Sequence, residues 1–269
     1  MTDHAAPSTA QDSGLRIEGA RLGYGDRIMC DNLSFVVPEG EFTAIIGPNG
    51  CGKSTTLKAL ARTLRPAVGA VLLDGADIRT LSPKTYARRV ATLPQHPLSP
   101  DYLRVRDLVS RGRHPYHSLL RRWLPGDAEI VDNAMAATGI TALGDRFVTE
   151  LSGGQRQRVW IAMVLAQQTD YVLLDEPTSF LDLAHQVDLL NLCQDIRAAD
   201  RTVVAVLHDI NQAARYASHL VVMHEGRIVR EGAPADVLDA DLVRDVFGIE
   251  AVIETDSQAG SPMITVRNR

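Results

Sequence analysis

The stretch Phe42-Thr43-Ala44-Ile45-Ile46-Gly47-Pro48-Asn49-Gly50-Cys51-Gly52-Lys53-Ser54 decides how the rest of the chain is read. Its first five residues are a compact apolar run, the mark of a buried strand. The next eight fit G-x-x-x-x-G-K-[ST], a loop whose glycines let backbone N–H groups curl around a phosphate without Cβ clashes. Beyond it Leu57, Leu60, Ala61 and Leu64 recur at i, i+3, i+4 and i+7. That spacing predicts an amphipathic helix over residues 54–65, stopped by Pro66. A helix start carries positive partial charge and unpaired N–H groups, and both favour an anion there. Lys53 is then placed to reach the β- and γ-phosphates of a nucleotide, and the Ser54 hydroxyl to bind Mg²⁺.

Toward the N-terminus, residues 15–43 alternate apolar and polar positions around Tyr24-Gly25-Asp26 and Pro38-Glu39-Gly40, which predicts short antiparallel strands. Toward the C-terminus, strands at 171–174, 202–207 and 220–223 alternate with helices at 183–198 and 210–217, a pattern of parallel sheet covered on both faces. Residues from about 97 to 158 differ: they are helical in pattern, broken by Pro100, Pro115 and Pro125, and hold nine arginines. The tail reads as a short helical piece and a hairpin, 250–254 and 263–266 around Gly260-Ser261-Pro262. The expected fold is therefore α/β with a mostly parallel core sheet, an N-terminal antiparallel β subdomain and an inserted helical subdomain. Residues 1–13 are expected to be a disordered tail, 14–269 one domain, and 232–269 its C-terminal extension.

A net charge of −5 argues against nucleic acid as the partner. No run approaches the roughly 18 apolar residues of a membrane span, and the first residues lack the basic start and apolar segment of a signal peptide. Cys30, Cys51 and Cys193 show no paired or metal-type spacing, as expected for reduced thiols in the cytoplasm. Within the loop, Cys51 is a small side chain where bulk is excluded. A second expectation is that the helix start and Lys53 lower its pKa and make it reactive, so that alkylation inactivates and nucleotide protects.

Tyr171-Val172-Leu173-Leu174-Asp175-Glu176 is an apolar strand ending in two acids, and strand ends are where an open α/β sheet presents its ligands. Asp175 suits Mg²⁺, and Glu176 is placed to orient or deprotonate an attacking water. Acids after a strand also cap helices, so the pair gains its meaning from the loop above. Leu151-Ser152-Gly153-Gly154-Gln155 starts a further helix, with Ser152 as its cap and Val159, Ala162, Met163 and Ala166 on its apolar face. Such a helix start is a second anion site.

This last pentapeptide is the signature sequence of the ABC ATPase family, which the chain resembles from about residue 15 to 231. Five fixed residues would match by chance in roughly one chain in ten thousand of this length. The resemblance implies a P-loop NTPase fold and hydrolysis of ATP with Mg²⁺. It also implies a homodimer in which the signature of one subunit meets the γ-phosphate bound to the other. The nucleotide-contacting set carried over is Tyr24, Gly47, Pro48, Asn49, Gly50, Cys51, Gly52, Lys53, Ser54 and Thr55, with Ser152, Gly153, Gly154, Gln155 and Asp182. Tyr24 looks like the aromatic stacked on adenine, and otherwise reads as a turn tyrosine. Gln95 resembles the glutamine that contacts Mg²⁺ and the attacking water. Ser179-Phe180-Leu181-Asp182 resembles the dimer-contact loop, and His208 the histidine that holds the γ-phosphate. Glu176, His208 and Gln95 are thus the catalytic candidates, and Ser54, Gln95 and Asp175 the metal candidates.

A soluble ABC ATPase of DNA repair is disfavoured, because only 98 positions separate Ser54 from Ser152 and no sustained heptads appear between them. Ser110-Arg111-Gly112-Arg113-His114-Pro115-Tyr116, together with residues 179–186, resembles the importer subfamily serving ferric siderophores, cobalamin and haem. That resemblance implies two membrane permease subunits, a substrate-binding protein and a place at the cytoplasmic face of the membrane. Arg111, Arg113, Arg121 and Arg122 read either as a solvated basic face or as contacts to acidic groups of those subunits or of lipid.

Overall fold

The computed structural model describes residues 13–97, 102–118, 123–179 and 181–267. The expected tail over residues 1–12, Phe180, and the pair Arg121 and Arg122 lie outside the described residues.

β1 (Leu15–Tyr24) and β2 (Arg27–Val36) pair antiparallel, as their alternation predicts. β3 (Phe42–Ile46) is buried at every position. α1 (Lys53–Leu60) is shorter than its apolar spacing predicts. Arg62 adopts a φ of 60°, and the Thr63 and Leu64 amides both close on the Lys58 carbonyl. A left-handed residue ends the helix before Pro66 is reached, while Ala61 and Leu64 still pack against the core from the following turn. β4 (Val68–Leu73) and β5 (Ala76–Asp77), which the sequence reading did not find, complete an antiparallel sheet in the order β2-β1-β4-β5. α2 (Pro83–Ala87), capped by Ser82, leads into β6 (Val90–Leu93).

α3 (Val105–Ser110), a tight 3₁₀ turn at Arg111–Tyr116, α4 (Asp127–Ala137) and α5 (Gly153–Ala166) build a helical cluster around Leu108, Val109, Met135 and Val159. α5 serves two cores at once. Its Val159 and Ala162 face this cluster, while Ile161 and Val164 pack on the main sheet.

β7 (Tyr171–Asp175), α6 (Leu183–Ala198), β8 (Thr202–Val206), α7 (Ile210–Tyr216) and β9 (His219–His224) follow where the alternation predicts. β10 (Arg227–Gly232) turns back on β9 through Glu225 and Gly226, both with positive φ, a two-residue hairpin. Gly226 is confined from both sides: its N–H donates to the Cys51 carbonyl at 3.0 Å, and a Cβ would lie 2.2 Å from the Met29 carbonyl oxygen. α8 (Pro234–Val237), α9 (Ala240–Phe247), β11 (Ala251–Thr255) and β12 (Pro262–Val266) end the chain, the last two as the expected hairpin.

The second sheet runs β10-β9-β3-β8-β7-β6, parallel throughout except for β10. In register, Ile45 faces Val206, Val206 faces Asp175, and Leu174 faces Leu93. The C-terminal ends of β3, β8, β7 and β6 therefore form one edge, and the residues just past those ends are neighbours.

A buried ionic knot holds the helical cluster at α4. Arg113 donates to Asp127 at 2.8 Å and to the Ala166 carbonyl at 2.9 Å, and His117 meets the other Asp127 oxygen at 2.8 Å. Arg113 is 5% and Asp127 1% exposed, so the solvated-face reading fails for Arg113. Burial pulls the Asp127 carboxyl up, but the Leu124 amide, Arg113 and His117 outweigh it and hold it below the usual carboxylate range. Asp127→Asn leaves a buried guanidinium without its counter-charge and should cost about 3 kcal/mol at neutral pH. A carboxyl depressed on folding stabilises above its unfolded value and stops doing so as pH falls through the folded one. Urea midpoints should therefore show the gap between wild type and variant constant down to about pH 4 and narrowing below it.

Candidate nucleotide-binding site

The phosphate loop sits between β3 and α1 as a cradle that side chains would fill. Gly47 has a φ of 148°, and a Cβ there would lie 2.1 Å from the Met223 carbonyl oxygen. Gly52, with a φ of 108°, is the cap of α1 and would strike the Cys30 sulfur at 2.7 Å. No side chain caps α1, so its first-turn amides are left for a ligand. Lys53 reaches back across the loop and donates to the Gly47 and Pro48 carbonyls at 2.8 and 2.9 Å. A polyphosphate entering the cradle would take that ammonium over, exchanging two neutral acceptors for a charged one.

The sheet edge assembles the acids. Ser54 donates to Asp175 Oδ1 at 2.7 Å, while Asp175 Oδ2 is buried without a hydrogen-bond partner. Burial raises the Asp175 pKa against the opposing Ser54 bond. A hydroxyl and a carboxylate with one unpaired, buried oxygen form a hard-oxygen donor set, which fits Mg²⁺.

Glu176 faces the other way and is held on three sides. Gln95 donates to Oε2 at 2.7 Å, Ser179 to the same oxygen at 3.3 Å, and His208 Nε2 lies 2.8 Å from Oε1. Burial again pulls upward, but His208 first, then Gln95 and Ser179, bring the carboxyl below its ordinary range. Glu176 adopts a φ of 51° just past the end of β7, a region few non-glycine residues occupy. Gln95 and His208 are thus brought together with Glu176. The role of Ser179 as a donor was missed, because a hydrogen bond three residues along a turn leaves no mark in the sequence pattern.

Ser152 caps α5 with a reciprocal box: its hydroxyl accepts from the Gln155 amide at 3.3 Å, and the Gln155 side chain accepts from the Ser152 amide at 3.1 Å. The expectation of free amides at this start narrows to Gly153 and Gly154. The signature makes no hydrogen bond with residues 47–55 among the described residues. It neighbours the Asp182 loop instead: Leu181 lies 3.4 Å from a Gly154 Cβ position, and Gln157 donates to the Pro177 carbonyl at 3.0 Å. Asp182 caps α6, accepting from the His185 amide. Tyr24, 47% exposed at the end of β1, has the Lys58 ammonium 5.8 Å from its ring centre and an open face for stacking.

The expected reactivity of Cys51 is overturned. The thiol is 5% exposed beneath Gly47, and burial raises its pKa by more than Lys53 and the loop amides lower it. The space-filling reading stands. Burial also raises Cys30, and takes Cys193 to about 12. A thiol titration of the folded protein should find all three reacting at least about tenfold slower than a free thiol, and nucleotide should change little. Rapid labelling of Cys51 that ATP blocks would restore the rejected reading.

Comparison with known proteins follows the same lines. The ABC transporter family profile matches residues 30–179. The ferric enterobactin transport ATP-binding protein FepC of Escherichia coli (strain K12) is 50% identical over 256 residues, covering 95% of this chain and 94% of the relative. The petrobactin import ATP-binding protein FpuD of Bacillus anthracis is 49% identical over 250 residues, covering 93% and 92%. The dimeric structure of MJ0796, a bacterial ABC transporter cassette, superposes with a TM-score of 0.72 at 26% identity, covering 81% of this chain and 98% of that one. With its phosphate loop, its paired acids and its signature helix in this arrangement, the chain belongs to the ABC transporter family as an ATP-binding, ATP-hydrolysing cassette.

Proposed function

We propose that this chain energises import of a ferric siderophore, acting as a homodimer at the cytoplasmic face of the membrane beneath two permease subunits fed by a substrate-binding protein. The relatives named for ferric enterobactin and petrobactin, matched at about half identity over nearly their whole length, support the cargo class. Among the described residues no helix is long and apolar enough to cross a membrane, so any membrane-spanning partner is a separate chain in this reading.

The single observation that carries the catalytic part is the clamp on Glu176. Gln95, Ser179 and His208 fix both oxygens of that carboxylate at the sheet edge, where it can orient an attacking water. Gln95 and His208 hold that carboxylate until the γ-phosphate and the water arrive, and His208 then turns to the phosphate. Lys53 and the α1 amides bind the phosphates. Ser54 and Asp175, with Gln95 beside them, would hold Mg²⁺, which supplies charge neutralisation on the phosphate oxygens when bound. Tyr24 stacks on the base. The Ser152 hydroxyl can keep accepting from Gln155 while donating its own proton to the γ-phosphate bound by a second copy, because a hydroxyl does both.

Glu176→Gln should bind ATP within about threefold of wild type and hydrolyse it at least about a hundredfold more slowly. It should also remain dimeric on ATP by gel filtration. In iron-starved source cells the same chromosomal substitution should abolish uptake of labelled ferric siderophore at normal subunit levels. Near-normal turnover would remove Glu176 from its role. Intact siderophore uptake with lost cobalamin or haem uptake would move the cargo to that class.

A further inference from the structure

The C-terminal hairpin touches the helix that follows His208, and touches it in a specific way. Asn211 uses its side-chain amide as a strand would use its backbone: Nδ2 donates to the Ile264 carbonyl at 3.1 Å, and Oδ1 accepts from the Ile264 amide at 2.7 Å. Four residues on, and so on the same face of α7, Arg215 pairs with Asp256 at 3.0 Å. Between them in the packing, Ile210 joins Val243, Ala251 and Ile264 in a small apolar cluster of its own. The hairpin therefore holds α7 through a two-point amide bond, an ion pair and a hydrophobic contact.

An adjacent side of α7 leads to the site. Asp209, the residue after His208, caps the helix by accepting from the Gln212 amide at 2.9 Å. The Gln212 side chain donates to Gln186 at 2.8 Å, and Gln186 donates to the Leu181 carbonyl at 3.0 Å, in the loop that carries Asp182. Only Asp209 and Ile210 separate His208 from Asn211, and α7 is a rigid segment, so a displacement of the helix start is a displacement of His208. His208 itself has no bonded support except Glu176 among the described contacts, and its side chain is 46% exposed. Its place is set by the chain that bears it.

We propose that the β11–β12 hairpin is a strap that fixes α7, and that Asn211 is the positioning residue through which it sets His208 against Glu176 and the γ-phosphate. This rests on the reading of His208 given above. Asn211 touches no reacting atom; it acts on the hydrolytic step through His208 and leaves ATP binding to the phosphate loop.

The test is a double-mutant cycle on the full-length protein, with ATPase kinetics, single-turnover hydrolysis and melting temperature as readouts. Asn211→Ala should lower kcat about tenfold, since a misplacement of an ångström or less is costly to a positioned group, with the KM for ATP changed less than about twofold. Asp256→Ala, which removes the Arg215 pair together with the carboxylate that accepts from the Gln258 and Ala259 amides in the hairpin turn, should show the same pattern at about threefold. In a His208→Ala background, Asn211→Ala should cost less than about a further twofold, because groups acting through one another are not additive. Unchanged kcat in Asn211→Ala, a raised KM at constant kcat, or an equal loss with and without His208 would each overturn the strap. If His208→Ala alone leaves kcat intact, it is the role of His208 that fails, and the strap fails with it for that separate reason.

Discussion

Everything at the catalytic edge depends on the parallel register of four short strands. β3, β8, β7 and β6 lie side by side, with Ile45, Val206 and Asp175 in one row and Leu174 opposite Leu93. Extending those rows past the strand ends places Gln95 across from Glu176, and His208 one step beyond Leu207, which the same extension sets beside Glu176. The bonds of 2.7 and 2.8 Å join residues that this register brings to the same edge. The strands can keep this register because both their faces are buried: a slip of one residue would exchange the two cores. Ile46 and Leu174 face one cluster, and Ile45 and Leu173 the other. Packing on two sides thus becomes precision at the third, where no side chain is free to choose its neighbour.

Two adjacent acids then acquire opposite characters from nearly the same address. Asp175 is the last residue of β7, enclosed by sheet and α1, with one oxygen bonded and the other bare, and burial decides its pKa. Glu176 has left the strand in a left-handed turn and lies among three donors, and they decide its pKa. The first is prepared for a cation that would repay its burial, the second for a water that must be pointed.

Much of this was legible in the sequence where a pattern is local and repeated. α6, β3, β7, β8 and β9 stand where the apolar runs and breakers put them, β6 was not found, and the phosphate loop is read from eight consecutive residues. The end of α1 was misread because Pro66 is a visible stop and Arg62 an invisible one: its left-handed turn is set by how the chain re-enters the core. β10 carries the alternation of an edge strand, but its arginines and glutamate dilute the apolar signal, and only the Glu225-Gly226 turn marks it. Cys51 failed for a different reason. Lys53 and the helix start are visible in the sequence and lower a thiol pKa, whereas the burial that raises it comes from a core cluster to which Val206 and Met223 contribute from distant segments. Gln95, Glu176 and His208 could be named as candidates in advance, but Ser179 could not, nor could their mutual distances.

The two helix starts that resemble anion sites differ in one structural respect, and the difference orders the proposed cycle. α1 begins at a glycine with no side-chain cap, so its amides have no alternative partner and gain fully from a phosphate. α5 begins at Ser152 with both halves of its box closed, so much of its start is already satisfied. A phosphate therefore binds first and most strongly at α1, and the signature adds only what Gly153, Gly154 and the Ser152 hydroxyl still have to give. An interaction of that kind is well suited to a joint that must form and release on every turnover.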